Sequence, residues 1–134
     1  MLAWHAFTNL FIALGLAHSL WIVNEGRTGV RLAGAVDDWV ALGEILELVE
    51  EHKLAGIIAT NTTIDHAGIP AHREQQGGLS GAPLRVRATA IVRFIAERTK
   101  VPVIAVGGIF DGASAREKFD AGAALVQLYT GFIY

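Results

Sequence analysis

The sequence predicts an α/β protein with parallel strands, and three observations carry that expectation. Short apolar runs, LAGIIAT at 54–60 and VPVIAV at 101–106, have the length and composition of strands buried on both faces. Between and after them lie longer segments with apolar residues at helical spacing, long enough to serve as crossovers. No pair of runs is separated by the turn signal of a two-residue hairpin. With 134 residues, 52% hydrophobic and 18% charged, the chain is suited to one domain with a sizeable core, and disorder is excluded.

Residues 2–23 carry no acidic residue, Lys or Arg. Trp4, Phe7, Phe11, Leu14 and Trp21 would share one helical face, and the expectation is a buried or interfacial helix. A membrane span is the alternative, since ~20 apolar residues cross the hydrocarbon, but the unbroken apolar core is only 10–17. No Lys or Arg precedes it, which argues against a signal peptide. Residues 24–36 form a Gly-rich break with a short strand expected at 30–33. Next comes an amphipathic helix, capped by Asp37 or Asp38, with Trp39, Leu42, Leu46 and Val49 inward. Its Glu44, Glu47, Glu50 and Glu51 belong to a solvated face.

The strand at 54–60 leads into a long polar loop over 61–83 containing Gly77, Gly78 and Gly81, and loops of that length are usually functional. A helix follows at 84–100 with Ala88, Ile91, Val92, Ile95 and Ala96 as its buried stripe. The strand at 101–106 is closed by Gly107 and Gly108; a helix is expected at 114–121 and a last strand at 124–129. Two regions result: 1–38, an apolar N-terminal helix and Gly-rich segment left unassigned, and 39–134, a run of crossover units.

Composition excludes several classes of function. Eleven Lys and Arg against 13 Asp and Glu leave a net charge of -2, without the basic stripe that nucleic acid requires. The absence of Cys removes disulfides, Cys-based zinc sites and a Cys nucleophile. His66 and His72 lack the spacing of a zinc protease motif, and no metal site is expected. Glu117 and Asp120 read as a solvated helix face, and Ser80, with no evident base, as a turn or cap residue.

Ligands in parallel α/β folds sit beyond the C-terminal ends of the strands. The first of these ends is Thr60-Asn61-Thr62-Thr63. It reads either as hydroxyls and an amide offered to a planar heterocycle, or as an ordinary Asx or Ser/Thr turn. The second, Gly107-Gly108-Ile109, allows backbone N–H groups and a following helix N-terminus to approach a phosphate. The third, Tyr129-Thr130-Gly131, adds further N–H groups and a hydroxyl. Two adjacent loops of this kind point to a phosphorylated cofactor.

Four segments then resemble one family: IIATNTT (57–63), GGLSGAPL (77–84), VPVIAVGGI (101–109) and GAALVQLYTGFIY (122–134). They are similar to dihydroorotate dehydrogenase, and the ending LYTGFIY favours the quinone-reducing class 2 over class 1. The resemblance covers 39–134 and implies the C-terminal portion of an FMN-containing (β/α)₈ barrel, incomplete because such a barrel takes ~250 residues. The implied reaction is oxidation of dihydroorotate to orotate in pyrimidine biosynthesis, with electrons passed to a quinone. Carried over by motif, Thr60, Gly81, Gly108, Tyr129 and Thr130 would bind FMN, and Asn61 and Thr62 would bind the pyrimidine.

The family's serine base lies on an earlier loop with no counterpart here, so no catalytic residue is assigned, and neither Ser80 nor Ser114 takes its place. Val30-Arg31-Leu32-Ala33 is a loose echo of the family's VKIAPDL strand with Arg for its FMN-contacting Lys, and a planar guanidinium is not interchangeable with an ammonium, so that role is not carried over. The family also implies membrane association on the cytoplasmic side. The chain alone is expected to be inactive, with activity requiring a partner chain that completes the barrel. The alternative is a non-enzymatic barrel remnant or membrane-tethered interaction module without flavin.

Overall fold

The computed structural model describes residues 39–134 apart from 64, 65, 67 and 74, together with the backbone of 11–14, 20–24 and 27–32. The elements are β1 (Phe11–Leu14), β2 (Leu20–Asn24), β3 (Arg27–Leu32), α1 (Trp39–Glu51), β4 (Gly56–Ala59), α2 (Arg85–Ala96), β5 (Val103–Val106), α3 (Gly112–Asp120), β6 (Leu125–Gln127) and α4 (Thr130–Ile133). They form one six-stranded sheet in the order β3-β2-β1-β4-β5-β6. β4, β5 and β6 are parallel, in the register Ile57↔Val103 and Ile104↔Leu125. The α/β class therefore holds, with α2 and α3 as the crossovers.

The N-terminal region departs from expectation. Where a helix was expected, Phe11–Leu14 and Leu20–Asn24 are strands; the remainder of 1–38 outside β1–β3 lies outside the described residues, including the caps Asp37 and Asp38. A short uncharged apolar run has no periodicity that separates helix from strand. Pairing decided it: β1 lies parallel to β4, with Phe11↔Gly56 and Leu14↔Ala59 in register. The absence of hairpins was also wrong. β2 and β3 are antiparallel with Asn24↔Arg27 paired, so only two residues connect them, and Glu25-Gly26 lacks the usual Asn-Gly signature. Of the strand expected at 30–33, residues 30–32 belong to β3, at the sheet edge and separated from β4 by β2 and β1, and 33 lies outside the described residues.

Strand alternation divides the sheet into two faces. Ile57, Ala59, Val103 and Ala105 are buried beneath the helices, joined by Leu42, Ile45, Leu46 and Val49 of α1 and Ala88, Ile91, Val92 and Ile95 of α2. The α1 set recurs at i, i+3, i+4 and i+7, so Ile45 belongs to the inward stripe and Trp39 does not. Trp39 instead stacks on Phe94 of α2, with ring centroids 4.9 Å apart. On the other face Ile58, Ile104 and Val106 are half-buried, and Leu125 is 60% exposed. α3 begins two residues before its expected start because Asp111 caps it. Ser114 N donates to Asp111 Oδ1 at 2.6 Å, and the Asp111 N–H donates to Ser114 Oγ at 3.0 Å.

Removing buried volume at the centre of this layer is expected to be costly. Ile91→Ala, at a site 1% exposed, should lower stability by about 2–5 kcal/mol, read as a shift in the urea midpoint with unchanged slope.

Candidate functional site

Because β4, β5 and β6 run in one direction, their C-terminal ends open on one side, and the loops there enclose a cavity of about 260 Å³. Thr60, Asn61, Thr62, Gly81, Gly108, Tyr129 and Thr130, the residues singled out from the sequence, all line it. Ser80, Phe110 and Gln127 also line it and were missed. A polar Gln at the end of the otherwise apolar strand β6 was the available signal for the last of these.

Thr60 is 4% exposed, and its hydroxyl donates to the Val106 carbonyl at 3.5 Å, across β4 and β5. Asn61 is exposed, and its Oδ1 accepts the Thr62 N–H at 2.8 Å, an Asx-type contact that leaves its amide NH₂ to the cavity. The local-turn reading of this strand end holds for the Asn61 Oδ1. The Thr62 side chain abuts Gly78, where any Cβ would collide with it. The long loop is closed at its neck by the Thr63↔Leu79 bridge, with N–H···O distances of 3.0 and 2.7 Å. Farther out, His66 Nε2 donates to the Gly77 carbonyl at 3.0 Å. Ser80, expected as a turn or cap residue, instead accepts a hydrogen bond from Thr130 Oγ1 at 3.0 Å, joining this loop to the one after β6.

The loop after β5 is shaped by close backbone approach. Gly107 and Gly108 have φ of 108° and 69°, a region that L side chains rarely adopt. A Cβ on Gly108 would lie 2.6 Å from the Arg85 nitrogen at the start of α2. A Cβ on Gly131 would strike the Ile109 carbonyl, so the loops after β5 and β6 are also in contact. Among the described residues, the N–H groups of Gly108 and Ile109 make no hydrogen bond to protein and are available to an anion. The α3 N-terminus does not join them as expected: the Asp111 carboxylate already occupies it, held below its usual pKa by Ser114. The cradle is made of loop backbone alone.

Two charged residues of α3 support this loop from behind. Glu117, expected on a solvated face, forms a two-pronged ion pair with Arg85, with Nε to Oε2 at 2.9 Å. Each partner holds the other charged, Arg85 upward and Glu117 downward in pKa. Asp120 does lie on an exposed face, paired with Arg116 at 3.0 Å. Lys118 is 0% exposed, and its Nζ donates to the Arg85 carbonyl at 3.0 Å and to Thr89 Oγ1 at 2.6 Å. Burial pushes this ammonium down to about 8, only partly offset by Glu117.

Parallel strands with crossover helices and a cavity beyond the strand ends define an α/β barrel-type protein. Comparison with known proteins makes this more specific. The Dihydroorotate dehydrogenase family profile matches residues 15–134. The dihydroorotate dehydrogenase (quinone) of Thermosynechococcus vestitus is 47% identical over 131 residues, covering 89% of this chain and 36% of that protein. That of Christiangramia forsetii is 52% identical over 96 residues, covering 69% and 28%. The crystal structure of DHODH from Eimeria tenella in complex with ferulenol superposes with a TM-score of 0.68 at 36% identity, over 72% of this chain and 27% of that one. The chain belongs to the dihydroorotate dehydrogenase family and has the fold of part of its barrel. It spans about a third of the length of the curated relatives it matches.

Gly108→Ala is expected to lower stability by about 2–4 kcal/mol, combining positive-φ strain with displacement of the α2 start; thermal melts would show it. Lys118 sets a second expectation. Its folded pKa of about 8 lies below 10.5, so between those values the unfolded chain binds the extra proton and stability rises with pH. The gain should approach about 2–3 kcal/mol. It should disappear in Lys118→Met, measured as the difference between the two proteins' stability–pH curves.

Proposed function

We propose that the chain contributes the C-terminal strands of a quinone-reducing dihydroorotate dehydrogenase. In this reading it binds FMN and takes part in oxidising dihydroorotate to orotate in pyrimidine biosynthesis. The observation that carries the reading is the gathering of Thr60, Asn61, Thr62, Gly81, Gly108, Tyr129 and Thr130 around one cavity at three parallel strand ends. The loops fit a phosphate there because their glycine backbone lines the cavity with N–H groups that make no hydrogen bond among the described residues.

FMN, when bound, supplies the hydride acceptor. The chain's own residues bind and orient. The N–H groups of Gly108 and Ile109 would hold the phosphate, and the Thr130 hydroxyl would join them by exchanging its bond to Ser80 for one to the phosphate. Tyr129 flanks this end of the cavity, and Gly81 keeps room beside Thr130, where a Cβ would press on its methyl at 3.3 Å. The Asn61 amide would donate to a ring carbonyl or to the carboxylate of the substrate, with Thr62 beside it.

No residue here is placed as the proton acceptor. That group, and the strands that close the barrel, belong to the two thirds of the relatives outside the match, supplied by the same polypeptide or by a partner chain. A quinone acceptor is lipid-soluble, so membrane association on the cytoplasmic side accompanies this reading. No helix among the described residues is long and apolar enough to cross a membrane.

Protein purified natively should show bound-flavin absorption bands. A colourless preparation that also fails to take up added FMN would leave only shared ancestry and a barrel remnant without redox chemistry. In a flavin-loaded sample, Asn61→Ala should weaken orotate binding about tenfold, the loss of one hydrogen bond to a charged ligand. Undiminished binding would remove the pyrimidine assignment while leaving the flavin site standing.

A further inference from the structure

Arg85 is held at both ends by consecutive residues of α3. Glu117 takes its guanidinium, and the buried Lys118 ammonium takes its backbone carbonyl. Thr89, one turn along α2, bonds both the Lys118 ammonium and the Arg85 carbonyl, at 2.6 and 2.8 Å. Arg85 is also the residue on whose backbone Gly108 rests without room for a Cβ. The loop 107–111 is thus bounded by α2, which it touches, and by α3, into which it runs, and Lys118 is the strut between those two helices.

Helix packing alone does not call for an ammonium here. A Met or Leu would fill the space without the desolvation cost of a buried charge. Directional hydrogen bonds do something an apolar side chain cannot: they set where along α2 the third helix sits. We propose that Lys118 is a positioning residue for the anion cradle, fixing how far the Gly108 and Ile109 N–H groups project into the cavity. The ligand side of this inference rests on the flavin phosphate reading, whereas the mechanical side rests on the Gly108–Arg85–Lys118 contacts alone.

Lys118→Met removes the strut and leaves no orphaned carbonyl, because the bond from Thr89 Oγ1 to Arg85 O remains. The full chain and this variant would be compared by backbone ¹⁵N relaxation and by titration with FMN and with riboflavin, which lacks the phosphate. In the wild type, Gly108 and Ile109 should have order parameters of about 0.85, falling below about 0.6 in the variant while β4 stays rigid. FMN affinity should fall about tenfold and riboflavin affinity by less than about twofold. Leu46→Ala, which loosens α1 and the core far from the strut, should leave the FMN-to-riboflavin ratio unchanged. Unaltered order parameters at 108 and 109, or an equal loss of both flavins, would overturn the proposal. If the wild type binds neither flavin, the flavin reading fails, and the relaxation data alone decide the role of Lys118.

Discussion

The site depends on one close approach between backbones. Gly108 lies so near the first residue of α2 that no side chain fits between them, and this contact places the end of β5 inside the cavity rather than across its mouth. The loop after β6 repeats the device where Gly131 meets the Ile109 carbonyl. Stacked in this way, the two loops line the same cavity. Three residues after β4 close the cavity from the other side. Parallel strands are what make the arrangement possible, since only they bring successive loops to one edge of the sheet.

Charge is distributed with the same logic. Among the described residues the cavity lining has no acidic or basic side chain, so an anion there would be held by dipoles of these residues. The charged residues lie behind it. Asp111 spends its carboxylate on capping α3, and Glu117 spends its own on Arg85. Lys118, buried, donates to two neutral oxygens, the Arg85 carbonyl and the Thr89 hydroxyl. Such a group is costly to bury, and it fixes one helix against another at the point where the cradle begins.

The sheet is asymmetric. Its helix-covered face is a dense layer of Ile, Val, Leu and Ala, whereas the opposite face carries half-buried Ile58, Ile104 and Val106 and an exposed Leu125. In a closed barrel this second face is the interior, packed by side chains from the other strands. That its apolar character is retained follows from membership of the family, and β6 leaves an unpaired edge beside it.

Much of this was legible without coordinates. The short β-branched runs at 57–59 and 103–106 identify central strands, and the stripe 88, 91, 92, 95 identifies the buried side of α2, because both patterns are local consequences of burial. The residues of the cavity were legible too, since strand-end glycines and hydroxyls have few other uses when they recur on adjacent crossovers. Pairing was not legible: Phe11–Leu14 could be helix or strand until β4 supplied a partner, and the short connection between β2 and β3 carried no turn signature. Nor were the partners of Ser80, Glu117 and Lys118 legible, lying 50, 32 and 33 residues away in sequence. Sequence by itself determined the periodicities, and thus the elements of residues 39–134, and its four motifs carried the resemblance to the family. Which charges meet across α2 and α3, and which glycines are pressed against backbone, was decided only when packing brought distant segments into contact.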